Sequence, residues 1–259
     1  MRIALLFLFT LYSILGAKES KLELGFGGAA LYYPNYIGSK TYNFITLPLP
    51  YLRYRGKYLQ YDKDGLTSKL FGIKDLKLEL SGSGSIPASS EKGSARDGMP
   101  DLDLTGEIGF KLVYNIYEKG VSQLEFEFPL RGVLSTDFTQ IDYRGLVSNP
   151  QFKYSLNYTH FEWTLRSGVV LGDKDYNSYY YGVDTKYITP SREAYKANAG
   201  FNGFRNKVGM TYKKGSWWMG AFVSYTNLND SIIEDSPLVE TKSSLYTGAS
   251  VAYIFYTAD

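Results

Sequence analysis

The chain has 259 residues and is nearly neutral, with 28 lysines and arginines against 26 aspartates and glutamates. This balance gives no electrostatic support to nucleic-acid binding, and the absence of cysteine excludes a disulfide framework. The 25 tyrosines and 26 glycines suit either a membrane barrel with aromatic girdles or a tyrosine-rich soluble β-sandwich.

The N-terminus has the three parts of a secretory signal peptide. Met1-Arg2 is a short basic start, Ile3 to Leu15 is an apolar core, and Leu15-Gly16-Ala17 supplies small residues. The core is too short to cross a membrane as a helix. The sequence therefore predicts cleavage after Ala17 and one mature domain over residues 18–259, with an uncleaved anchor as the alternative.

Alternating apolar and polar residues begin at Leu22 and predict a first strand that reaches Tyr32. A turn-rich segment separates it from a second alternating run, which contains Pro48 and Pro50. Prolines in a strand indicate a bulge or a poorly paired edge. The second strand and three shorter ones are predicted at Asn43 to Tyr54, Tyr58 to Tyr61, Leu66 to Gly72 and Leu76 to Leu80.

The strongest pattern is a hairpin from Asp101 to Val133. Every second residue from Leu102 to Ile116 is apolar or small, and the alternation resumes after the turn at Glu118-Lys119-Gly120. Each arm is about fifteen residues long, where a globular strand has five or six. One fold that can contain such a hairpin is a large soluble β-sandwich. The other is a membrane barrel, whose apolar face meets lipid and whose polar face lines the lumen.

The rest of the chain favours the barrel, because short and long connections alternate along it. Short turns facing the periplasm and longer outer loops are typical of outer-membrane barrels. We therefore predict an all-β, transmembrane antiparallel barrel of about twelve strands, which places both chain ends on one side; ten strands are the alternative. The remaining predicted strands are Phe152 to Tyr158, Phe161 to Leu171, Val208 to Tyr212, Trp217 to Tyr225 and Leu245 to Phe255.

The predicted short turns are basic, whereas the long loops are acidic. One interpretation is a periplasmic rim that binds anionic peptidoglycan or an acidic partner; the other is lysines that reach lipid phosphates. The acidic loops either hold divalent cations or are simply solvated. The candidate rim residues are Arg55, Lys57, Lys74, Lys119, Lys213 and Lys214.

The polar faces of the long strands predict charges inside the barrel. These charges either line a narrow polar pore or pair across neighbouring strands and plug it. Twelve strands are too few for a wide channel, which takes roughly 16–18 strands. The candidate lumen charges are Glu107, Lys111, Glu125, Glu127, Arg131 and Arg166.

Catalytic motifs are missing from the sequence. The single histidine, His160, falls in a two-residue turn, and there is no Gly-x-Ser-x-Gly, metal-spaced cluster or phosphate loop. We therefore predict a protein that is not an enzyme and that has no cofactor or metal site.

Four stretches in matching order resemble the MipA/OmpV family of outer-membrane proteins. They are the glycine-rich residues 27–39, the Tyr-Gly-Val segment from residue 179, residues 228–239, and the terminal Tyr253-Ile254-Phe255. We interpret the motif residues as loop-shaping, with Pro34, Gly182 and Pro237 in turns and Tyr36 and Tyr181 packing. The motif residues are Pro34, Tyr36, Gly38, Tyr181, Gly182, Val183, Asp235, Ser236 and Pro237.

The resemblance implies a β-barrel in the outer membrane of a Gram-negative cell, surrounded by lipid. The family takes its name from a scaffolding protein that interacts with a lytic transglycosylase. By resemblance, the expected partners are therefore a lytic transglycosylase, a murein synthase or peptidoglycan itself. Alternatives from other classes are a narrow solute channel and a surface adhesin built on the acidic loops. One departure is that residues 256–259 follow the terminal Phe255, where barrels often end.

Overall fold

A computed structural model of the protein describes residues 21–62, 65–85, 90 and 93–258. The predicted signal peptide, residues 1–17, lies outside the described residues. Within them, thirteen strand segments form: β1 (Lys21–Pro34), β2 (Tyr42–Arg55), β3 (Leu59–Asp62), β4 (Gly65–Ile73), β5 (Leu76–Ser85), β6 (Leu104–Lys119), β7 (Ser122–Thr136), β8 (Ile141–Ser148), β9 (Gln151–Tyr158), β10 (Phe161–Gly172), β11 (Gly200–Lys214), β12 (Trp217–Asn227) and β13 (Ser243–Ala258).

These segments form one antiparallel sheet that closes on itself. The first strand pairs with both β2 and the last strand, β13, and β10 pairs with β11. The segments β8 and β9 both pair with β7 on one side and β10 on the other, so they are two halves of one strand interrupted at residues 149–150. Thirteen segments therefore make twelve strands. The predicted twelve-strand barrel is confirmed, and the ten-strand alternative is wrong.

The connections differ between the two ends of the barrel. At the short-turn end they span residues 56–58, 74–75, 120–121, 159–160 and 215–216, and both described chain ends lie there. At the other, long-loop end they span residues 35–41, 86–103, 137–140, 173–199 and 228–242. The loop over 173–199 contains an α-helix, α1 (Lys174–Tyr181), and a 3-10 helix, Thr185–Tyr187. No helix in the described ranges is long and apolar enough to span a bilayer.

Side-chain exposure shows which face of the sheet meets lipid. The apolar residues of the central hairpin point outward, and Phe110 is 56% exposed. The carboxylates Glu125 and Glu127 point inward and are buried. A soluble sandwich would bury the large apolar side chains and expose the charged ones. The observed arrangement therefore requires lipid around the barrel and encloses the polar residues in the lumen.

The strand β8 is missing from the sequence-based prediction, which places no strand between Val133 and Phe152. The loop between β7 and β8 is only residues 137–140, since β7 runs to Thr136 and β8 begins at Ile141. Inside the barrel, Arg144 pairs with Asp142 at 2.8 Å, while Ile141 is 72% exposed outside. The charged pair belongs to the normal alternation of a barrel strand, although in sequence it suggests a solvated loop.

The prolines of β2 lie on an edge that is largely unpaired. This strand pairs with β1 along its whole length, but with β3 only at Tyr54 and Arg55. The Gly56 N–H points towards β3, because it donates to the Leu59 carbonyl. Backbone groups alternate in direction along a strand, so the backbone nitrogens of Pro48 and Pro50 also point to the β3 side of β2. Proline has no N–H, so this edge does not expose two hydrogen-bond donors for which lipid offers no acceptor. The predicted poorly paired edge is confirmed.

Replacing both prolines with alanine should therefore destabilise the barrel. Pro48→Ala/Pro50→Ala restores two N–H groups at an edge without strand partners among the described residues, at about 1–3 kcal/mol each. We expect a lower urea midpoint for the protein in lipid vesicles. Replacing a proline also gives the unfolded chain more conformational freedom. Pro190→Ala, in an exposed turn, controls for this effect. An unchanged midpoint in the double variant would contradict the role assigned to this edge.

Candidate functional site

The candidate lumen charges are brought together on one wall of the barrel. Glu127 lies at the centre: Gln151 donates to its carboxylate at 2.7 Å. The ammonium groups of Lys111 and Lys153 lie 3.8 and 3.9 Å from Glu127, and Arg166 also lies 3.9 Å away. These residues come from β6, β7, β9 and β10, so the network braces four strands.

Two further clusters extend this network along the same wall. Arg131 lies 3.3 Å from Glu107 and donates to the Ser81 hydroxyl at 3.1 Å. Lys111 lies 3.0 Å from Glu79 of β5, and Lys153 lies 3.2 Å from Glu125. The six candidate charges are therefore paired rather than lining an open polar pore. Sequence reasoning left out Glu79 and Lys153, although both stand on the polar side of an alternating strand.

A second ionic cluster lies on the opposite side of the lumen, near the short-turn end. Glu23 of β1 is almost fully buried, and its carboxylate accepts a hydrogen bond from Lys213 at 2.6 Å and from the Tyr51 hydroxyl at 3.2 Å. Arg53 lies 3.6 Å from the same carboxylate. Lys213, predicted to be a rim residue, therefore points into the lumen and links β11 to β1.

The other rim candidates are exposed at the short-turn end. Lys74 is next to Asp75 at 3.9 Å, and its side chain is 90% exposed. The Lys57 ammonium lies 5.4 Å from the ring centre of Tyr58, and Lys119 is also exposed. Arg55 and Lys214 are exposed too, but they border a cavity inside the mouth of the barrel.

This cavity, the basic vestibule, has a volume of about 530 Å³. Five cationic residues line it against two carboxylates, Asp62 and Glu162. The only histidine of the chain, His160, is part of the wall and contacts the Tyr212 ring at 6.1 Å between ring centres. The five cations are Arg53, Arg55, Lys153, Lys213 and Lys214.

The long-loop end is closed by a folded cap with its own apolar core. The buried residues come from four different loops, and Leu228, Ile233 and Leu238 have no exposed surface. The Tyr36 hydroxyl donates to the Leu238 carbonyl at 2.8 Å, and the Tyr181 hydroxyl donates to the Ile37 carbonyl at 3.0 Å. These bonds join segments that are far apart in sequence and hold them over the lumen.

Two buried arginines tie the remaining loop segments into the cap. Arg96 donates to the carbonyls of Tyr180 at 3.2 Å and Pro100 at 3.0 Å. Arg192 donates to the carbonyls of Tyr187 at 2.9 Å and Ala95 at 2.8 Å. Both side chains satisfy backbone acceptors that a loop core would otherwise leave unpaired.

The motif residues lie in this cap. Gly38 has a φ of +99°, which favours glycine, and its N–H donates to the Ser244 hydroxyl at 2.8 Å. The Ser236 hydroxyl donates to the Tyr181 carbonyl at 2.7 Å. Val183 is buried and pairs with Tyr195, and Gly182 ends α1. Pro34 ends β1, and Asp235 and Pro237 flank Ser236 in the last loop.

With the capped barrel described, its relatives can be compared. The sequence profile described as MltA-interacting protein MipA matches residues 26–255. The chain belongs to this family. It is 28% identical to "Outer membrane protein Omp26La" of Vibrio anguillarum over 215 residues, covering 78% of this chain and 76% of the relative. It is also 28% identical to "Outer membrane protein OmpV" of Vibrio cholerae over 213 residues, with the same coverage.

Solved structures include the translocator domain of autotransporter NalP from Neisseria meningitidis. The two chains are 13% identical. The match covers 97% of this chain and 96% of the translocator domain, with a TM-score of 0.40. The family, the names of the two relatives and the closed barrel described above agree, and the protein is an outer-membrane β-barrel. The family and both relatives carry the names of outer-membrane proteins rather than of enzymes.

The lumen network predicts that Glu127 stabilises the barrel. Glu127→Gln keeps the bond from Gln151 possible but leaves Lys111, Lys153 and Arg166 without their shared carboxylate, a loss of about 3 kcal/mol. We expect a lower urea midpoint in detergent micelles. Glu118→Gln is the control, because Glu118 is exposed at a turn, where it accepts a hydrogen bond from the Asn115 amide at 3.0 Å. Equal midpoints for the two variants would contradict this role.

The cap should loosen at alkaline pH. Burial raises the pKa of Tyr36 and Tyr181 above the ordinary value of about 10. The two hydroxyls hold their protons more tightly in the folded cap than in the unfolded chain, so the cap has its full stability while the pH is below the unfolded-state pKa. That stability is lost as the pH rises above about 10. We expect proteolysis of the long loops to increase there. Tyr36→Phe/Tyr181→Phe, which cannot ionise at these positions, should show a shallower pH dependence; identical profiles would exclude this explanation.

Proposed function

We propose that this protein is a non-enzymatic docking protein of the outer membrane, which binds an anionic partner of murein metabolism through its short-turn end. The observation that carries the proposal is the contrast between the two ends. The long-loop end is closed by a packed cap, while the short-turn end presents exposed cations. Short turns face the periplasm in barrels of this class, where murein and its enzymes lie.

The docking surface consists of Lys57, Lys74 and Lys119, and we call it the basic rim. These residues lie at or beside three successive short turns, so they form a continuous side of the barrel mouth. Exposed lysines attract acidic proteins and anionic polymers, and they change the rate and specificity of encounter. Lipid phosphates can also attract them, and the experiment below separates these two ligands.

The family name supports the class of partner. The matching family is described as MltA-interacting protein, which says that its name-giving member contacts another protein. For this chain we infer a murein-cleaving enzyme, a murein synthase or peptidoglycan as the partner. A docking role needs no open lumen, and it is therefore compatible with the cap and with the paired charges inside the barrel.

The test is recovery of the partner from crosslinked envelopes. Lys57→Glu/Lys74→Glu/Lys119→Glu should reduce recovery of murein enzymes or peptidoglycan by about tenfold, since reversing rim charges repels an anionic partner. The control, Lys40→Glu/Lys186→Glu/Lys196→Glu, makes the same charge change on exposed lysines of the long-loop end. It should leave recovery unchanged.

Three outcomes would contradict the proposal. Equal recovery with the rim and control variants would show that rim charge does not matter. Loss of membrane insertion by the rim variant alone would favour the lipid-phosphate interpretation. A narrow solute channel is the second candidate, because the basic vestibule opens into the lumen. Steady single-channel steps of the purified protein in planar bilayers would favour that channel.

A further inference from the structure

We propose that the basic vestibule is a binding site for a small soluble anion with two or more carboxylates and a flat face. The inference uses the periplasmic orientation of the short-turn end but does not need the docking role. The cavity volume of about 530 Å³ lies within the range of ordinary ligand sites, roughly 300–1,000 Å³. It lies inside the barrel mouth, whereas the basic rim lies outside it.

Guanidinium donors inside the cavity favour an anionic ligand. Of the five cationic residues, Lys214 follows the inward-facing Lys213 in β11 and therefore faces outward, beside its strand partner Trp217. The other four come from β2, β9 and β11, so they surround the space from different sides. Lys213, Arg53 and Lys153 are paired with Glu23 or Glu125, whereas Arg55 has no ion-pair partner among the residues that the structure describes. The Arg55 side chain is therefore the one most available to a ligand.

Buried carboxylates hold other cations of the wall in place. Glu23 fixes Lys213 at 2.6 Å and Arg53 at 3.6 Å, although these two residues belong to different strands. Glu125 holds Lys153 at 3.2 Å. An arginine has five N–H donors, so one carboxylate at 3.6 Å leaves Arg53 with donors to spare. Cations fixed in this way need little reordering when an anion binds.

Aromatic side chains give the cavity a flat apolar wall beside the cations. Tyr51 and Trp218 contact each other inside the cavity, with ring centres 5.4 Å apart. Aromatic faces bind flat or ring-shaped ligand groups. The site therefore combines charged donors for carboxylates with a stacking surface.

Isophthalate, a flat ring with two carboxylates, is a suitable probe for the intact protein in detergent micelles. We expect it to bind by calorimetry and to change tryptophan fluorescence, whereas the neutral isophthalamide does neither. The fluorescence change should disappear in Trp218→Phe and persist in Trp217→Phe, because Trp217 lies outside the cavity lining. Arg55→Gln should weaken binding by about tenfold, the loss of one charge-assisted contact.

The basic rim supplies the matched control. Lys74→Gln removes the same charge outside the cavity and should leave isophthalate binding unchanged. The proposal is overturned if isophthalate does not bind, if isophthalamide binds equally well, or if the rim and vestibule variants weaken binding equally. Failure here leaves partner recovery by the basic rim untouched, and loss of the docking role leaves isophthalate binding intact. The two proposals can therefore fail separately.

Discussion

Lipid offers no hydrogen-bonding partner to a backbone N–H or C=O group, and this constraint explains the architecture. The sheet closes because β1 finds β2 on one edge and β13 on the other. Where the pairing fails, prolines are present. Pro48 and Pro50 lie on the free edge of β2, and Pro129 faces the break between β8 and β9, where the Ser148 hydroxyl donates to its carbonyl at 2.5 Å. The exceptions to strand pairing thus follow the same rule as the pairing itself.

Closure also determines what the interior contains. Because side chains alternate, a strand that presents apolar residues to lipid must present its other face to the lumen. In this barrel that face is charged on β6, β7, β9 and β10, and the charges compensate one another around Glu127. A narrow lumen leaves little water to solvate them, so pairing keeps the buried charges tolerable. The interior therefore acts as a brace, and access from outside is concentrated at the short-turn end.

Much of the fold could be predicted from the sequence, because alternation over long strands is a local signal. The direction of Lys213 could not: it was assigned to a turn, but β11 continues to Lys214, and one position in a strand decides between lumen and surface. The partners of Glu23 come from β2 and β11, which no local pattern brings together. In the cap, motif resemblance marked Tyr36, Tyr181 and the stretch 228–239, but nothing in the sequence showed that Leu228 and Ile233 of that stretch are fully buried.

The construction of the cap bears on which end of the molecule meets a partner. Its polar contacts are mostly side chains bound to backbone carbonyls, as with Arg96 and Arg192, and its tyrosine hydroxyls bind carbonyls of other loops. A loop whose backbone is satisfied by buried side chains of other loops cannot move without breaking several bonds at once. Such loops do not open readily for a solute. The short-turn end, in contrast, keeps an exposed cation, Arg55, that has no carboxylate partner among the described residues, and a new anionic contact there displaces no existing ion pair.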